Sequence, residues 1–508
     1  MRVGEGPFAG ADWHAARPRS GMLAWPGLRN TVIAVAAVVT FVLAGAFVAV
    51  VSPGMLALVG AAAGLVLVAL MSAISPRFAL GLVFAASTLS GLTLPTPIGV
   101  LRIDQAIVLP ALSGVLVRWI SDRNQSLVAG GRASRFLTIG LGMYLVANLF
   151  STLLMAIDVA SSLRVVLWLS LSFAAYLLTI TAAGRYFSVG TLLDDIVAIG
   201  TIAAGAALVL YSLSGLGLMG FGVQADPSSA QLSAKGTFWE ANLLGSFAAM
   251  TAILAASQLV HSLGHESRRR RLLELSIVVC TAAAYVSFTR AAWLGLVMGG
   301  LVLLLLSRPS SGRARIVARG SLVLASTAVL LFLTGLGTPL LDRVLSLFTD
   351  STGTIAFRSA DWAQALSNIP QHLWIGLGTN SYGQHYLDPT QNFGRAYIGG
   401  LFIAALWDIG LIGLATLLFA FAALARKLQR GLAGIDDSTR SQAAGFSAAF
   451  VCGLVAYQAT NGFWFAYNWI LIGLASSIPV IITARGGSTA PGTGLTSFAA
   501  TRRKSIAR

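Results

Sequence analysis

Residues 285–296 read YVSFTRAAWLGL, with one arginine, Arg290, set between two apolar runs that each look long enough to cross a bilayer. An arginine there has to be held for a reason, because taking a guanidinium out of water is costly. The same pattern, apolar runs broken by charge, glycine or proline, recurs along the whole chain. Its 508 residues are 56% hydrophobic and 10% charged, and the mean hydropathy is +0.80. A soluble chain of this length cannot cover so much apolar surface with so few charges. The expected fold class is therefore all-α, a polytopic transmembrane helix bundle. The alternating, turn-rich strand pattern of an outer-membrane barrel is missing from the sequence.

The apolar runs predict fourteen helices, near 31–51, 55–75, 78–94, 103–120, 136–156, 162–182, 191–213, 238–260, 272–288, 292–307, 315–336, 398–425, 442–459 and 464–483. Closely coupled neighbours set the expected number at about 12–14 spans. With the N-terminus placed inside, alternate connections are basic: RWISDRNQSLVAGGRASR, AAGRYF, ESRRRRLLE, SRPSSGRARIVAR and ARKLQRGLAGIDDSTR, then the tail TRRKSIAR. Together with the N-terminal tail, Arg77 and Arg485, this side holds 27 of the 34 Lys and Arg residues. That asymmetry predicts both termini in the cytoplasm and accounts for the net charge of +16 without nucleic acid. The first 30 residues carry Arg2, Arg17, Arg19 and Arg29 and read as a cytoplasmic tail ahead of an uncleaved span. Residues 31–485 form the membrane domain, and 486–508 a basic, disordered cytoplasmic tail. Cys280 and Cys452 both fall in apolar runs, which argues against a disulfide framework or a zinc site.

Seven basic residues are left on the outer side: Arg102, Arg164, Lys235, Arg290, Arg343, Arg358 and Arg395. Two readings fit them. They pair with acids such as Asp104, Asp158 and Asp342, or they gather into an anion pocket, since guanidinium groups grip phosphate oxygens in a fixed fork. Three outer connections exceed a few residues, about 95–102, 214–237 and 337–397, and the last is 61 residues long. Such a length is unusual for an idle connection. Within this large extracytoplasmic loop, RSADWAQALSNIP predicts a short helix with Ser359 as N-cap and Pro370 closing it. Trp362, Leu366 and Ile369 recur at helical spacing and form its apolar stripe. Arg358 lies four residues before Trp362, where it either stacks on that ring or enters the cavity of Arg290. The following WIGLGTNSYGQHY is a glycine-punctuated loop. His372 and His385 are the outer-side histidines able to titrate near neutral pH. Trp239, Trp362, Trp374, Trp407 and Trp464 lie near outer helix ends and read as interfacial anchors, with one or two available to stack on sugar rings.

Four stretches stand in a telling order: GTFWEANLLG (236–245), SFTRAAWLG (287–295), FRSADWAQAL with WIGLGTNSYG (357–366 and 374–383), and LFIAALWDIGLIGL (401–414). In order, sidedness and loop placement they resemble the O-antigen ligase and O-antigen polymerase superfamily of bacterial membrane glycosyltransferases. Glu240 and Asn242 fall on a signature similar to Phe-x-x-Pro-Asn, with Ala241 in place of proline. Arg290 falls on the arginine of a Ser-Arg-Gly-Ala pattern, and Arg358 and Trp362 on an Arg-x-x-x-Trp element. Asp408 falls on the acid of Leu-x-Glu-x-Gly-x-x-Gly. One departure matters: members usually carry His-Asn just before the fourth stretch, where this chain has Gly399 and Gly400.

The resemblance implies a glycan donor on polyprenyl pyrophosphate, such as undecaprenyl pyrophosphate. It also implies an acceptor that is a lipid, a protein, cell wall or another repeat unit, and a multi-pass protein of the bacterial inner or plasma membrane with its site facing outside. It implies metal-independent transfer with inversion, and no cofactor. Arg290, Arg358 and Arg395 would meet the pyrophosphate, and Glu240, Asn242, Trp362 and Asp408 would line the substrate site. The base in place of the missing histidine is sought among His385, His372, Asp388 and Tyr397. A secondary transporter, with charges near the bilayer midplane, and a lipid-linked oligosaccharide flippase, with cations facing both sides of a central cavity, are the rival expectations.

Overall fold

The computed structural model describes residues 55–96, 99–121, 132–183, 185–225, 232–261, 267–307, 354–386, 398–433 and 437–478. Most of this chain is helical, as the apolar runs predict. The first helices are α1 (Met55–Ile74), α2 (Pro76–Ser87), α3 (Ile103–Ser121), α4 (Arg132–Met155), α5 (Val159–Ala182) and α6 (Val189–Gly215). Next come α7 (Ala241–His261), α8 (Ser267–Val286), α9 (Arg290–Leu306), α10 (Thr354–Asn368) and the one-turn α11 (Tyr382–Tyr386). The last three are α12 (Leu401–Leu432), α13 (Asp437–Ala456) and α14 (Ala466–Ser476). Five stretches among the described residues are long and apolar enough to cross a membrane: Arg135–Met155, Val159–Ala182, Val189–Gly215, Ala241–Val260 and Leu401–Leu432. The expected spans near 31–51 and 315–336 lie outside the described residues.

Local chemistry fixes the helix starts. Ser75 caps α2 by accepting from the Phe78 N–H, with Pro76 supplying the preset first position. Asp158 caps α5 through the Ser161 N–H at 3.0 Å, and Ser188 caps α6 through Thr191 N–H at 3.2 Å. The expected all-α class needs one amendment. Two short antiparallel hairpins occupy connections that the sequence marks as long: β1 (Thr93–Thr96) with β2 (Gly99–Arg102), and β3 (Val223–Ala225) with β4 (Leu232–Ala234). The expected span 78–94 therefore ends early, at Ser87, because the chain turns into the first hairpin.

The helices meet through small residues, as bilayer packing requires when there is little hydrophobic drive between helices. A Cβ on Gly114 of α3 would lie 2.0 Å from the Ala69 carbonyl oxygen of α1, so these backbones touch. Between the helices the core is aromatic: Phe247 meets Tyr467 edge-on at 5.2 Å and Phe84 at 5.5 Å. Cys280 and Cys452 are both buried and unbonded to each other.

The bundle has two chemically distinct ends. At one, Arg77 grips Asp195 at 2.6 and 2.7 Å, and Arg269 bonds Asp194 and Gln258, each at 2.8 Å. The other end gathers the hairpins, the α4–α5 and α8–α9 turns, the start of α7 and the α13–α14 link, with α10 and α11.

Candidate active site

The segments singled out in the sequence are joined at that second end. α8 closes at Val286 and α9 opens at Arg290, leaving a turn in which Phe288 takes the left-handed conformation (φ 50°). Thr289, buried in this turn, gives its hydroxyl to Asn242 Oδ1 at 3.2 Å and to the Ala241 carbonyl at 3.3 Å. A Cβ on Gly245 would come within 2.5 Å of Ser287 Oγ, so glycine is what lets α7 approach the turn. Arg290 is thus seated one residue from the first motif, and Tyr285 and Trp293 stack beside it at 5.5 Å.

The start of α7 is braced on several sides. Thr237 gives its hydroxyl to the Thr88 carbonyl at 2.6 Å, and Gly91 N–H meets the Thr237 carbonyl at 2.8 Å. The Gln224 side chain takes the Ala241 N–H at 3.1 Å. Glu240, half-buried, accepts a hydrogen bond from the Thr460 hydroxyl in the α13–α14 link. The same link continues the chain of contacts, since Leu401 N–H at the head of α12 meets the Tyr457 carbonyl at 2.9 Å. Trp362 gives its indole N–H to the Gly399 carbonyl, so α10 is tied to the head of α12. Gly400 has φ 120°, and a Cβ there would sit 3.3 Å from Trp362 and 3.5 Å from the Gln458 carbonyl. Gly399 and Gly400, which stand where the resemblance leads one to expect His-Asn, therefore form a backbone junction.

The fourth motif holds the largest departure from a regular helix. α12 is broken at Gly410 (φ 64°, ψ −167°), and the loop 373–379 fills the break. Leu377 and Gly378 N–H meet the Trp407 and Asp408 carbonyls at 2.8 and 3.0 Å. Leu411 and Ile412 N–H meet the Leu373 and Trp374 carbonyls at 2.7 and 3.3 Å. Four backbone hydrogen bonds thereby bridge the break, as apolar surroundings demand of exposed backbone. Gly376 and Gly378 (φ 80° and 100°) permit the approach, because a Cβ on Gly376 would lie 2.5 Å from the Asp408 carbonyl carbon. α4 locks the arrangement: Ser151 gives its hydroxyl to the Asp408 carbonyl at 2.6 Å, and Thr379 gives its own to Asn148 Oδ1 at 2.9 Å. The Asp408 carboxylate is buried and accepts from the backbone N–H groups of Asn380 and Ser381.

These placements sort the expected site residues. Arg290, Glu240 and Asn242 come together. Trp362 joins them through Gly399 and the 457–460 link. Asp408 is buried in the loop–helix junction and holds backbone rather than lining an open surface. Arg358 falls in α10 one turn before Trp362, and its side chain lies outside the described residues, as do Arg395, Asp388 and Tyr397. His385, in α11, packs edge-on to Trp407 at 5.6 Å, and its shielded Nε2 makes no hydrogen bond. Burial, and then the nearby His372, push its pKa below the ordinary imidazole value. Among the seven basic residues expected outside, Arg102 pairs with Asp104 at 2.7 Å, the first of the two readings, whereas Asp158 serves as a helix cap.

Three details differ from expectation. Ser359 lies inside α10 rather than capping it, because the helix starts at Thr354. The inward stripe runs through Trp362 and Ala365 of α10 to Ile369 in the turn that follows, and Leu366 is 49% exposed. Trp407 is only 1% exposed and anchors a small core with Tyr382, Ile398 and Ala404, so it is no interfacial residue. Trp239 and Trp374, at 44% and 64% exposed, suit that role. Thr289, Thr460 and Asn461 were missed. The signal for Thr460 and Asn461 was a polar break, QATNG at 458–462, between two apolar runs, and Thr289 lies next to Arg290 in SFTRAAWLG.

A multi-helix membrane protein with its motif residues joined at one end of the bundle is the class that fold and site define. Residues 275–418 match the family model described as O-antigen ligase. The match supports the O-antigen ligase and polymerase superfamily, and it spans Arg290, α10, the glycine loop and Asp408. No curated protein matches the chain.

Proposed function

We propose that the protein is a membrane glycosyltransferase of surface polysaccharide assembly, a ligase or a polymerase. It moves a glycan from a polyprenyl pyrophosphate carrier to an acceptor on the extracytoplasmic face, with inversion and without a metal. The carrier's lipid tail lies among the spans, so its pyrophosphate meets the protein at the membrane boundary, where Arg290 sits at the N-terminus of α9. As the glycosidic bond breaks, negative charge grows on the pyrophosphate. A fixed guanidinium and a helix N-terminus both favour that charge. Arg358, with Arg395 from the same loop, completes the anion clamp in this reading. The observation that carries it is the convergence of the motifs, through Asn242–Thr289, Glu240–Thr460, Leu401–Tyr457 and Trp362–Gly399.

One observation favours transport instead: the break in α12 beside a buried acid, since discontinuous helices often hold ions in transporters. Against it, the Trp407 and Asp408 carbonyls are already taken by the loop 373–379 and Ser151. The test is release of polyprenyl pyrophosphate from a lipid-linked oligosaccharide in membranes containing the protein, with acceptor candidates supplied. Release by the wild type that falls at least a hundredfold in Arg290→Ala and in Arg358→Ala is expected. Absence of release from the wild type would refute transfer.

A further inference from the structure

We infer that Glu240 is the general base of this site, oriented by the Thr460 hydroxyl, and that it takes the proton of the acceptor hydroxyl. The inference rests on the transfer reading above and names its proton acceptor. Glu240 stands at the head of α7, two residues from Asn242, whose side-chain oxygen holds Thr289 beside Arg290. It is therefore the carboxylate that the fold ties most directly to the anion-binding arginine. Its segment is fixed by Thr88, Gly91 and Gln224, so the carboxylate is preorganised.

The other acids described at this end have partners of their own. Asp104 is spent in a buried ion pair with Arg102. Asp158 caps α5, Asp361 takes the Tyr382 hydroxyl at 3.0 Å, and Asp408 holds two backbone N–H groups. His385 faces Trp407, and its helix is tied through Gln384 to Asp158 and Ser162. Next to Thr460, Asn461 is 8% exposed and its Oδ1 accepts no hydrogen bond. A buried amide oxygen without a donor is unusual. Beside the base, a second hydroxyl of the acceptor sugar is a fitting donor. Gly399 and Gly400 bring no side chain to this junction, and the 457–461 link occupies the space beside them.

In the step, the acceptor oxygen forms a bond to the anomeric carbon while the bond from that carbon to the pyrophosphate oxygen breaks. The bonding pair leaves with the pyrophosphate, next to Arg290. The acceptor proton passes to the Glu240 carboxylate and from there to water when the products leave.

The test uses the full chain in membranes, a polyprenyl-pyrophosphate trisaccharide as donor and a panel of methyl glycosides as acceptors. Glu240→Gln should lower kcat at least a hundredfold at unchanged donor KM, as loss of a general base does. Glu240→Asp should retain part of the rate. Thr460→Val should lower kcat at unchanged donor KM, because the carboxylate loses the hydroxyl that orients it, and Thr460→Ser should restore it. Wild-type turnover by Glu240→Gln alongside an inactive Arg290→Ala would overturn the base and leave the transfer reading standing. A wild-type kcat in Thr460→Val, or no rescue by Thr460→Ser, would also overturn it. A wild type that releases no polyprenyl pyrophosphate would overturn both.

Discussion

The Arg102–Asp104 pair offers the sharpest separation of scaffold from site. The two side chains are 9% and 6% exposed and meet at 2.7 Å, with a second contact from Arg102 Nε at 3.0 Å. The guanidinium carbon also lies 4.6 Å from the Trp168 ring and 4.7 Å from that of Phe465. Removing one partner strands a buried charge. Asp104→Leu should therefore destabilise by about 3–5 kcal/mol. Arg102→Met should cost a similar ~3–5 kcal/mol from the stranded carboxylate, with about 0.5–2 kcal/mol more for each ring contact. The double variant leaves no stranded charge, so its penalty should fall well below the sum, giving a coupling energy of about 3 kcal/mol or more. Unfolding of the purified variants in detergent, followed by Trp fluorescence, completes the cycle, and the donor KM of each is measured in membranes. Additive penalties would refute the pairing. A tenfold rise in donor KM for Arg102→Met at wild-type stability would instead place Arg102 in the anion site.

Two further outcomes follow from the geometry. Gly376→Ala puts a methyl against the Asp408–Ile409 backbone at φ 80°; with several loop hydrogen bonds at about 1 kcal/mol each, a loss of about 3–5 kcal/mol is expected, read as a lower melting temperature, and an unchanged melt would refute the packing. His385 has a folded pKa below its ordinary 6.5, so the native state binds fewer protons than the unfolded one: melting temperature should be flat above that value and fall as pH drops beneath it, and His385→Gln should remove the slope.

Much of this architecture is legible in the residues. Apolar runs locate the described helices to within a few residues at most ends, because burial in a bilayer leaves little else that can set hydrophobicity over twenty positions. The motif strings also anticipate which segments meet. What stays hidden is decided by backbone geometry. Gly410 lies in LWDIGLIGL, an apolar run that reads as continuous helix, and nothing local signals that a loop dozens of residues earlier will enter the break. Trp407 looks interfacial for the same reason: its depth is set by the α10–α11 layer packed over it. Ser359 has a capping side chain, but the helix had already begun at Thr354. Thr460 acquires meaning only through Glu240, 220 residues away in sequence.

The junction at Gly410 also carries a timetable. Ser151 of α4 waits for Gly378, which is 227 residues later in the chain, and for the carbonyl of Asp408 later still. At ordinary synthesis rates that delay is about 10–45 s. Through it, Asn148, Ser151 and Thr152 stand in a membrane helix without the partners they finally hold. The knot can close only once Ile412 has left the ribosome, so this region waits until α4, the glycine loop and α12 have all been delivered to the same place.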